Sequence, residues 1–145
     1  MFPIVCFFLL PLSLFAFPAK VIKISDGDTI MILQDKQQIK VRLFGIDAPE
    51  KKQDYGQRSK QFLASLIAGQ VVEVEPKGKD RYKRTLGIIH YKGQDINAQM
   101  ALSGYAWAYV KYSRIYVDQE KTAREKKLGL WQSSDPTPPW EWRKR

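Results

Sequence analysis

The fold is decided by the stretch VIKISDGDTIMIL at residues 21–33 and by the run IKVRL at residues 39–43. The first stretch holds two β-rich runs joined by an Asp-Gly turn, and the second alternates apolar with basic side chains. Together they predict three strands of an antiparallel meander. Two further strands are predicted at residues 71–74 and 86–91, separated by a basic loop from Lys77 to Arg84 with Gly78 at its tip.

Three helices complete the predicted fold. From Gln57 to Ala68, apolar side chains recur on one face at helical spacing, and Gly69 stops the pattern. Asp95 can cap a helix through Leu102, and a polar helix from about Val117 to Lys127 follows. Five strands with a helix between the third and the fourth form the order of an OB-type barrel. We therefore predict a mainly β protein of the α+β class, a five-stranded OB-fold barrel with about three helices.

The N-terminus has the pattern of a secretory signal. No charged side chain lies between Phe2 and Pro18, and the apolar run is short, interrupted by proline and ended by small residues. We expect residues 1–19 to be a signal peptide, cleaved between Ala16 and Ala19. The mature domain then covers residues 20–145, with an extended C-terminal tail, and the protein is secreted or periplasmic. An uncleaved membrane anchor is the alternative.

Composition limits the classes of function. The chain has 145 residues, enough for one domain, and every charged side chain follows residue 19, so the domain keeps the net charge of +9. This charge favours polyanionic partners, with nucleic acid first and anionic lipid or glycan behind it. The single cysteine, Cys6, lies in the signal, and the single histidine, His90, lies in a predicted strand. A histidine-pair ribonuclease and a zinc site are therefore excluded.

Charged side chains with catalytic potential stand at the ends of the predicted strands. Asp28, Asp47 and Glu50 are acidic, and Arg42 and Arg84 are positively charged. Each has an ordinary explanation as a turn residue or a solvated strand residue, but barrel closure would bring these strand ends together. Carboxylates for a hard cation, one carboxylate for a water and two arginines for a phosphate would form a phosphodiesterase site.

Five segments also resemble a known family. They are DGDT at 26–29, RLFGIDAPE at 42–50, YG at 55–56, DRYKR at 80–84 and LGLW at 128–131. In order and spacing they are similar to the thermonuclease family, whose best-known member is staphylococcal nuclease. The resemblance covers residues 20–131. It implies a secreted, calcium-dependent nuclease that cleaves DNA and RNA with little sequence preference.

The resemblance also implies roles for individual residues. The metal ligands would be Asp28, Asp47 and the backbone carbonyl of Ala48. The catalytic residues would be Glu50 and the two phosphate-binding arginines, Arg42 and Arg84. The nucleic-acid-binding residues would be Arg81, Tyr82, Tyr109 and Tyr112. One position departs from the family pattern, since Lys83 replaces the glycine that often precedes the second arginine.

Calcium agrees with the chemistry of these ligands. Ca²⁺ takes six to eight oxygen ligands, so two carboxylates and one carbonyl leave positions for waters and a phosphate oxygen. A site with so few charged ligands should be weak, with a dissociation constant of roughly 10⁻⁴ to 10⁻³ M, which suits extracellular calcium. We expect DNA and RNA as substrates, no stable protein partner and a monomer.

Two other classes of function stay open at this point. A non-catalytic OB-fold protein could bind single-stranded nucleic acid through Trp107, Tyr109 and the basic loop, without any metal. A cationic surface or adhesive protein would need neither acids nor a pocket. A pure binder has no need of three acids near a phosphate, so the nuclease interpretation is favoured.

Overall fold

A computed structural model of the protein describes residues 16–145. Its strands, in chain order, are β1 Phe17–Asp26, β2 Thr29–Gln34, β3 Gln37–Leu43, β4 Ile46–Asp47, β5 Val71–Lys79, β6 Thr85–Tyr91, β7 Gln94–Asp95 and β8 Trp107–Ala108. Its helices are α1 Gly56–Ile67, α2 Ile96–Leu102, α3 Val117–Glu125 and α4 Pro139–Trp142, with a 3₁₀ turn at Gly129–Gln132.

Five strands close into a barrel. They follow the order β3-β2-β1-β5-β6, and a parallel pairing between β3 and β6 joins the two ends. The long β1 takes part in two pairings, since Lys20 lies opposite both Leu33 in β2 and Val71 in β5. The predicted OB-type α+β fold is confirmed, and so are the five predicted strands.

The core fills the barrel because alternate side chains of each strand point inward. Val21, Ile30, Ile32, Val41 and Ile89 are fully buried there. The helix α1 closes one side of the barrel with Leu63 and Ile67, as its apolar face predicts. A second, smaller cluster lies outside the barrel and contains Trp107, Ala123, Leu130 and Trp131.

Local signals account for the helix boundaries. The Asp95 side chain accepts a hydrogen bond from the Ala98 backbone N–H at 2.9 Å, so it caps α2 as predicted. A side chain at Gly56, the first residue of α1, would overlap the carbonyl oxygen of Glu50. Only glycine therefore allows the helix to start this close to the segment that carries Glu50.

The basic loop differs from the expectation. Gly78 is not its tip, because β5 continues through Lys79 with an irregular register between Pro76 and Lys79. The turn is made by residues 80–84 instead. Lys83 adopts a left-handed backbone conformation there, with φ of 62°. Glycine reaches this region without the steric penalty of a Cβ, which explains physically why glycine suits this position and why Lys83 is slightly unfavourable.

Residues 1–15 of the predicted signal lie outside the described residues, whereas residues 17–19 form the start of β1. Phe17 pairs with Val74 and Ala19 pairs with Val72, and the Ala19 side chain is buried. Within residues 16–145, no helix has the length and apolar character that crossing a bilayer requires.

A protein that starts at Phe17 should be more stable than one that starts at Lys20. The shorter protein loses the first pairings between β1 and β5 and the burial of Ala19, at a cost of about 2 kcal/mol in the free energy of unfolding. Urea denaturation of the two proteins measures the difference. A third protein that starts at Pro18 should fall between them, and equal midpoints for all three would contradict the prediction.

Candidate active site

Barrel closure brings the charged strand ends to one place. Arg42 in β3 lies opposite Thr29 in β2 and opposite Leu86 in β6. Asp28 directly precedes Thr29, and Arg84 comes two residues before Leu86. The three charged residues therefore share one end of the barrel, although they come from segments far apart in the sequence.

The Arg42 guanidinium joins two acids. Its Nη1 lies 3.1 Å from Asp28 Oδ2, its Nη2 lies 3.2 Å from Asp47 Oδ1, and Nη1 also donates to the Ile46 carbonyl at 3.3 Å. Burial opposes the charge of Arg42, but the two carboxylates outweigh burial and raise its pKa above the ordinary value. Arg42 is thus a permanent cation between the acids.

Asp28 is held firmly as an anion. Its Oδ2 accepts a hydrogen bond from the Ala48 backbone N–H at 2.8 Å, and its Oδ1 accepts one from the Thr29 hydroxyl at 3.0 Å. Burial opposes ionisation of Asp28, but the charge of Arg42 and the hydrogen bonds lower its pKa below the ordinary value. These bonds also tie the segment containing Ala48 to the end of β1.

Two neighbouring acids are less easily ionised. Burial, together with the charge of Asp28, raises the pKa of Asp26 to about 7. Burial also raises the pKa of Asp47 to about 6, although hydrogen bonds from Arg143 partly offset it. Added positive charge would stabilise the ionised forms of both acids.

Glu50 differs from Asp47 in its access to solvent. The Glu50 side chain is 37% exposed, whereas the Asp47 side chain is 1% exposed. The backbone N–H of Glu50 donates to Gln53 Oε1 at 3.1 Å, which fixes the loop that presents the carboxylate. Glu50 can reach a water molecule in the cleft, as a general base or a water-positioning group requires.

The second arginine is presented by the basic turn. Asp80 organises this turn by accepting hydrogen bonds from the backbone N–H of Tyr82 at 2.9 Å and of Arg84 at 3.0 Å. Its other oxygen accepts from Arg84 Nε at 2.6 Å. This contact uses Nε and not the two terminal nitrogens, which can still fork onto a phosphate. The Tyr82 ring is 66% exposed and lies beneath the guanidinium groups of Arg81 and Arg84.

Almost all of the predicted residues line one cleft of about 620 Å³. Its lining includes nine of them: Asp28, Arg42, Asp47, Glu50, Arg81, Tyr82, Arg84, Tyr109 and Tyr112. The tenth, Ala48, is buried next to the cleft and contacts Asp28 through its backbone N–H. The rings of Tyr109 and Tyr112 meet edge to face at 4.9 Å on one wall.

Two residues of the site were not predicted. Asp26 is the first aspartate of the DGD sequence, and its position two residues before Asp28 is a signal that could have indicated it. Arg143 comes from the C-terminal tail, whose predicted extended form is interrupted by α4. The Arg143 guanidinium lies 2.7 Å from Asp47 Oδ2 and 2.7 Å from Glu50 Oε1. No local pattern of the sequence indicates this contact.

The donor atoms fit a hard divalent cation. Asp28 and Asp47 supply carboxylate oxygens, and a bound cation would oppose the burial and the neighbouring Asp28 charge that raise the pKa of Asp47. No group of three or more His, Cys, Asp or Glu side chains within residues 16–145 forms a preformed metal site. A cation here would therefore complete its coordination with the Ala48 carbonyl, waters or substrate oxygens.

The fold and the cleft define an OB-type barrel with acids and arginines at the closing strand ends. Residues 40–133 match the family model described as "Staphylococcal nuclease homologue". The chain belongs to this family. An "Uncharacterized endonuclease" of Haemophilus influenzae is 46% identical over 129 residues, which are 87% of this chain and 72% of that protein. A "Micrococcal nuclease" of Shigella flexneri is 44% identical over 142 residues, covering 88% of this chain and 81% of that protein.

Replacing Asp26 by asparagine should stabilise the protein in a pH-dependent way. With a folded pKa of about 7, above the ordinary aspartate value of 3.8, Asp26 binds a proton in the folded state that the unfolded state has released. Wild-type stability is therefore lost as the pH rises from about 4 through 7, and Asp26→Asn avoids this loss. The variant should gain about 2 kcal/mol relative to wild type between pH 5 and pH 8.5.

Urea denaturation in a chelating buffer at the two pH values measures this gain. Asp35→Asn is the matched control, because Asp35 lies in an exposed turn away from the cleft. A stability difference between Asp26→Asn and wild type that is the same at both pH values would contradict the assignment.

Proposed function

We propose that this protein is a secreted, calcium-dependent nuclease that hydrolyses phosphodiester bonds in DNA and RNA with little sequence preference. The observation that carries the proposal is the convergence of three carboxylates and the arginines Arg42 and Arg84 on one cleft. Family membership and relatives named as nucleases support it.

The metal would be held by Asp28, Asp47 and the backbone carbonyl of Ala48. All three offer oxygen, which favours Ca²⁺ or Mg²⁺ over softer ions, and the small number of charged ligands favours the higher calcium concentrations outside cells. The ion, when bound, would neutralise negative charge on the phosphate and make the phosphorus more electrophilic.

Glu50 is the group that activates water in this proposal. Its carboxylate is exposed in the cleft beside the buried acids. It can accept a proton from a water, or orient that water, for in-line attack on phosphorus. As the bond from water to phosphorus forms, the bond to the leaving sugar oxygen breaks, and a proton must reach that oxygen.

The two arginines bind the phosphate. Arg42 is fixed by Asp28 and Asp47, and Arg84 is fixed by Asp80, so both guanidinium groups keep their position before substrate arrives. Such preorganised donors stabilise the charge that grows on the phosphate oxygens during attack. The terminal nitrogens of Arg84 can give the phosphate two parallel hydrogen bonds, which lysine cannot make, and Arg42 adds a fixed positive charge beside it.

The low sequence preference follows from how the cleft can hold a nucleotide. Tyr82 and Tyr112 expose large aromatic faces, at 66% and 64% exposure, and bases of every kind can stack on such faces. The net charge of +9 attracts the phosphate backbone of DNA and RNA alike. Neither contact depends on the identity of a base.

Export and assembly are also part of the proposal. The uncharged apolar residues 2–18 support a signal that sends the protein to the periplasm or the medium. We also propose that the protein is a monomer that acts without a stable protein partner.

A second candidate is an OB-fold protein that binds single-stranded nucleic acid without cleaving it. The exposed rings of Tyr82 and Tyr112 beside basic residues favour it, because stacking on such rings is how these proteins hold bases. Digestion of single-stranded and double-stranded DNA with Ca²⁺, with Mg²⁺ and with chelator separates the two. Calcium-dependent cleavage supports the nuclease, and metal-independent binding without cleavage supports the binder.

Glu50→Gln should fold and bind DNA but cleave it about 10² to 10⁴ times more slowly, because an amide cannot accept the proton of the attacking water. Initial rates at saturating calcium measure the loss. Glu125→Gln removes an exposed carboxylate at the end of α3 and should leave the rate unchanged. Wild-type turnover in Glu50→Gln would remove Glu50 from the mechanism.

Asp28→Asn should raise the calcium concentration needed for half-maximal activity by about tenfold or more, since a charged ligand becomes neutral. Calcium titrations of activity measure the shift, with Asp54→Asn, an exposed acid outside the large cleft, as the control. Circular dichroism verifies folding, because Asp28 also pairs with Arg42. Equal activity at limiting calcium would mean that the metal is held elsewhere.

A further inference from the structure

The C-terminal tail places a positive charge on the acids of the cleft. Arg143 Nη2 lies 2.7 Å from Asp47 Oδ2, and its Nη1 lies 3.0 Å from Asp47 Oδ1 and 2.7 Å from Glu50 Oε1. Arg143 follows residues 40–133, so it lies beyond the segment that matches the family model. In the chain, Arg143 lies 96 positions after Asp47 and 93 positions after Glu50.

Packing of the tail determines where this guanidinium lies. The Trp140 ring stacks on Tyr109 with centroids 5.6 Å apart and meets the edge of Trp107 at 5.4 Å. Upstream, Gln53 Nε2 donates to the Thr137 carbonyl at 2.6 Å. Arg143 directly follows α4, the short helix that contains Trp140. The guanidinium is therefore delivered by a packed element on the rim of the cleft.

The contact occupies the oxygens that a metal ion would need. Arg143 engages both carboxylate oxygens of Asp47, and Arg42 shares Oδ1 from the other side at 3.2 Å. Hydrogen bonds to Asp47 and Glu50 outweigh the cost of burial and raise the pKa of Arg143 above its ordinary value. Arg143 is thus charged at any physiological pH, and it makes a bidentate, charge-assisted contact of the strong kind.

A divalent ion and this guanidinium cannot share Asp47 at low cost. Both are cations that need the same lone pairs, and a metal bound to Asp47 would lie close to the positive charge of Arg143. The Asp47 side chain is almost fully buried, so water screens this repulsion only weakly. Because Arg143 engages both oxygens of Asp47, whereas Arg42 contacts only Oδ1, a metal ion that binds Asp47 has to replace at least one hydrogen bond from Arg143.

We propose that Arg143 is a resident cation that the divalent metal must displace, so that the C-terminal tail sets the metal affinity of the cleft. This inference rests on the proposed metal dependence. In the metal-free protein, Arg143 neutralises Asp47 and Glu50 and stabilises the folded state. When metal binds, part of its binding free energy is spent on releasing Arg143, and the apparent affinity falls accordingly.

Calcium binding to Arg143→Gln and to wild type, measured by isothermal titration calorimetry without substrate, tests the proposal. The variant should bind Ca²⁺ about tenfold more tightly, a difference of about 1.4 kcal/mol. Lys144→Gln is the matched control, because it removes one positive charge from the adjacent position, where Lys144 is 74% exposed and contacts Glu141 instead. Its affinity for Ca²⁺ should equal that of wild type.

Thermal unfolding in chelator and in saturating calcium gives a second measure. In chelator, Arg143→Gln should unfold at a lower temperature than wild type, because Asp47 and Glu50 have lost their partner. Calcium should raise the unfolding temperature of the variant by more than that of wild type. Arg143→Met keeps the aliphatic stem of the side chain and should behave in the same way.

Several outcomes would overturn the proposal that Arg143 is a resident cation. Unchanged or weaker calcium binding in Arg143→Gln would do so, and equal tightening in Lys144→Gln would show that net charge alone is responsible. If wild type shows calcium-dependent cleavage but Arg143→Gln binds Ca²⁺ with the same affinity as wild type, this inference is refuted and the proposed function stands. Tighter calcium binding in a protein that cleaves no nucleic acid would support the resident cation and refute the nuclease.

Discussion

The ion bridge from Arg42 to Asp28 and Asp47 is the interaction on which the site depends. Arg42 lies where β3 pairs with both β2 and β6, at the closure of the barrel. Buried charges are tolerated when they are paired and hydrogen-bonded, and here one guanidinium satisfies two carboxylates from two segments. The bridge thus links closure of the sheet to the geometry of the cleft, because each acid is held in place by the strand that closes the barrel.

The same arrangement favours the binding of further positive charge in the cleft. Burial raises the pKa of Asp26 to about 7 and that of Asp47 to about 6, so Arg42 does not neutralise the acids completely. Arg143 supplies further charge from the tail, and Arg84 faces the cleft from the basic turn. The cleft therefore carries acidic and basic side chains side by side.

Strands and helices followed from local signals, because side-chain period and turn residues act within a few positions. The Asp-Gly turn, the alternating strand at residues 39–43 and the Asp95 cap all stand where the sequence indicates. The predicted position of the tip of the basic loop was wrong. Glycine is typical of turns, which favoured Gly78 as the tip, but β5 continues through Lys79. There the pairing between β5 and β6 overrides a local glycine, and Lys83 takes the left-handed conformation instead.

The sequence alone predicted the barrel, the family and most of the acids and arginines that line the cleft, because these are carried by short motifs and their order. It did not determine that the pKa of Asp26 is raised to about 7, since burial and a neighbouring carboxylate are properties of the folded chain. It did not indicate Arg143 either, which is one of two arginines in the last ten residues. Only the packing of Trp140 against Tyr109 and Trp107 brings that guanidinium to Asp47, and a contact across 96 residues leaves no local pattern.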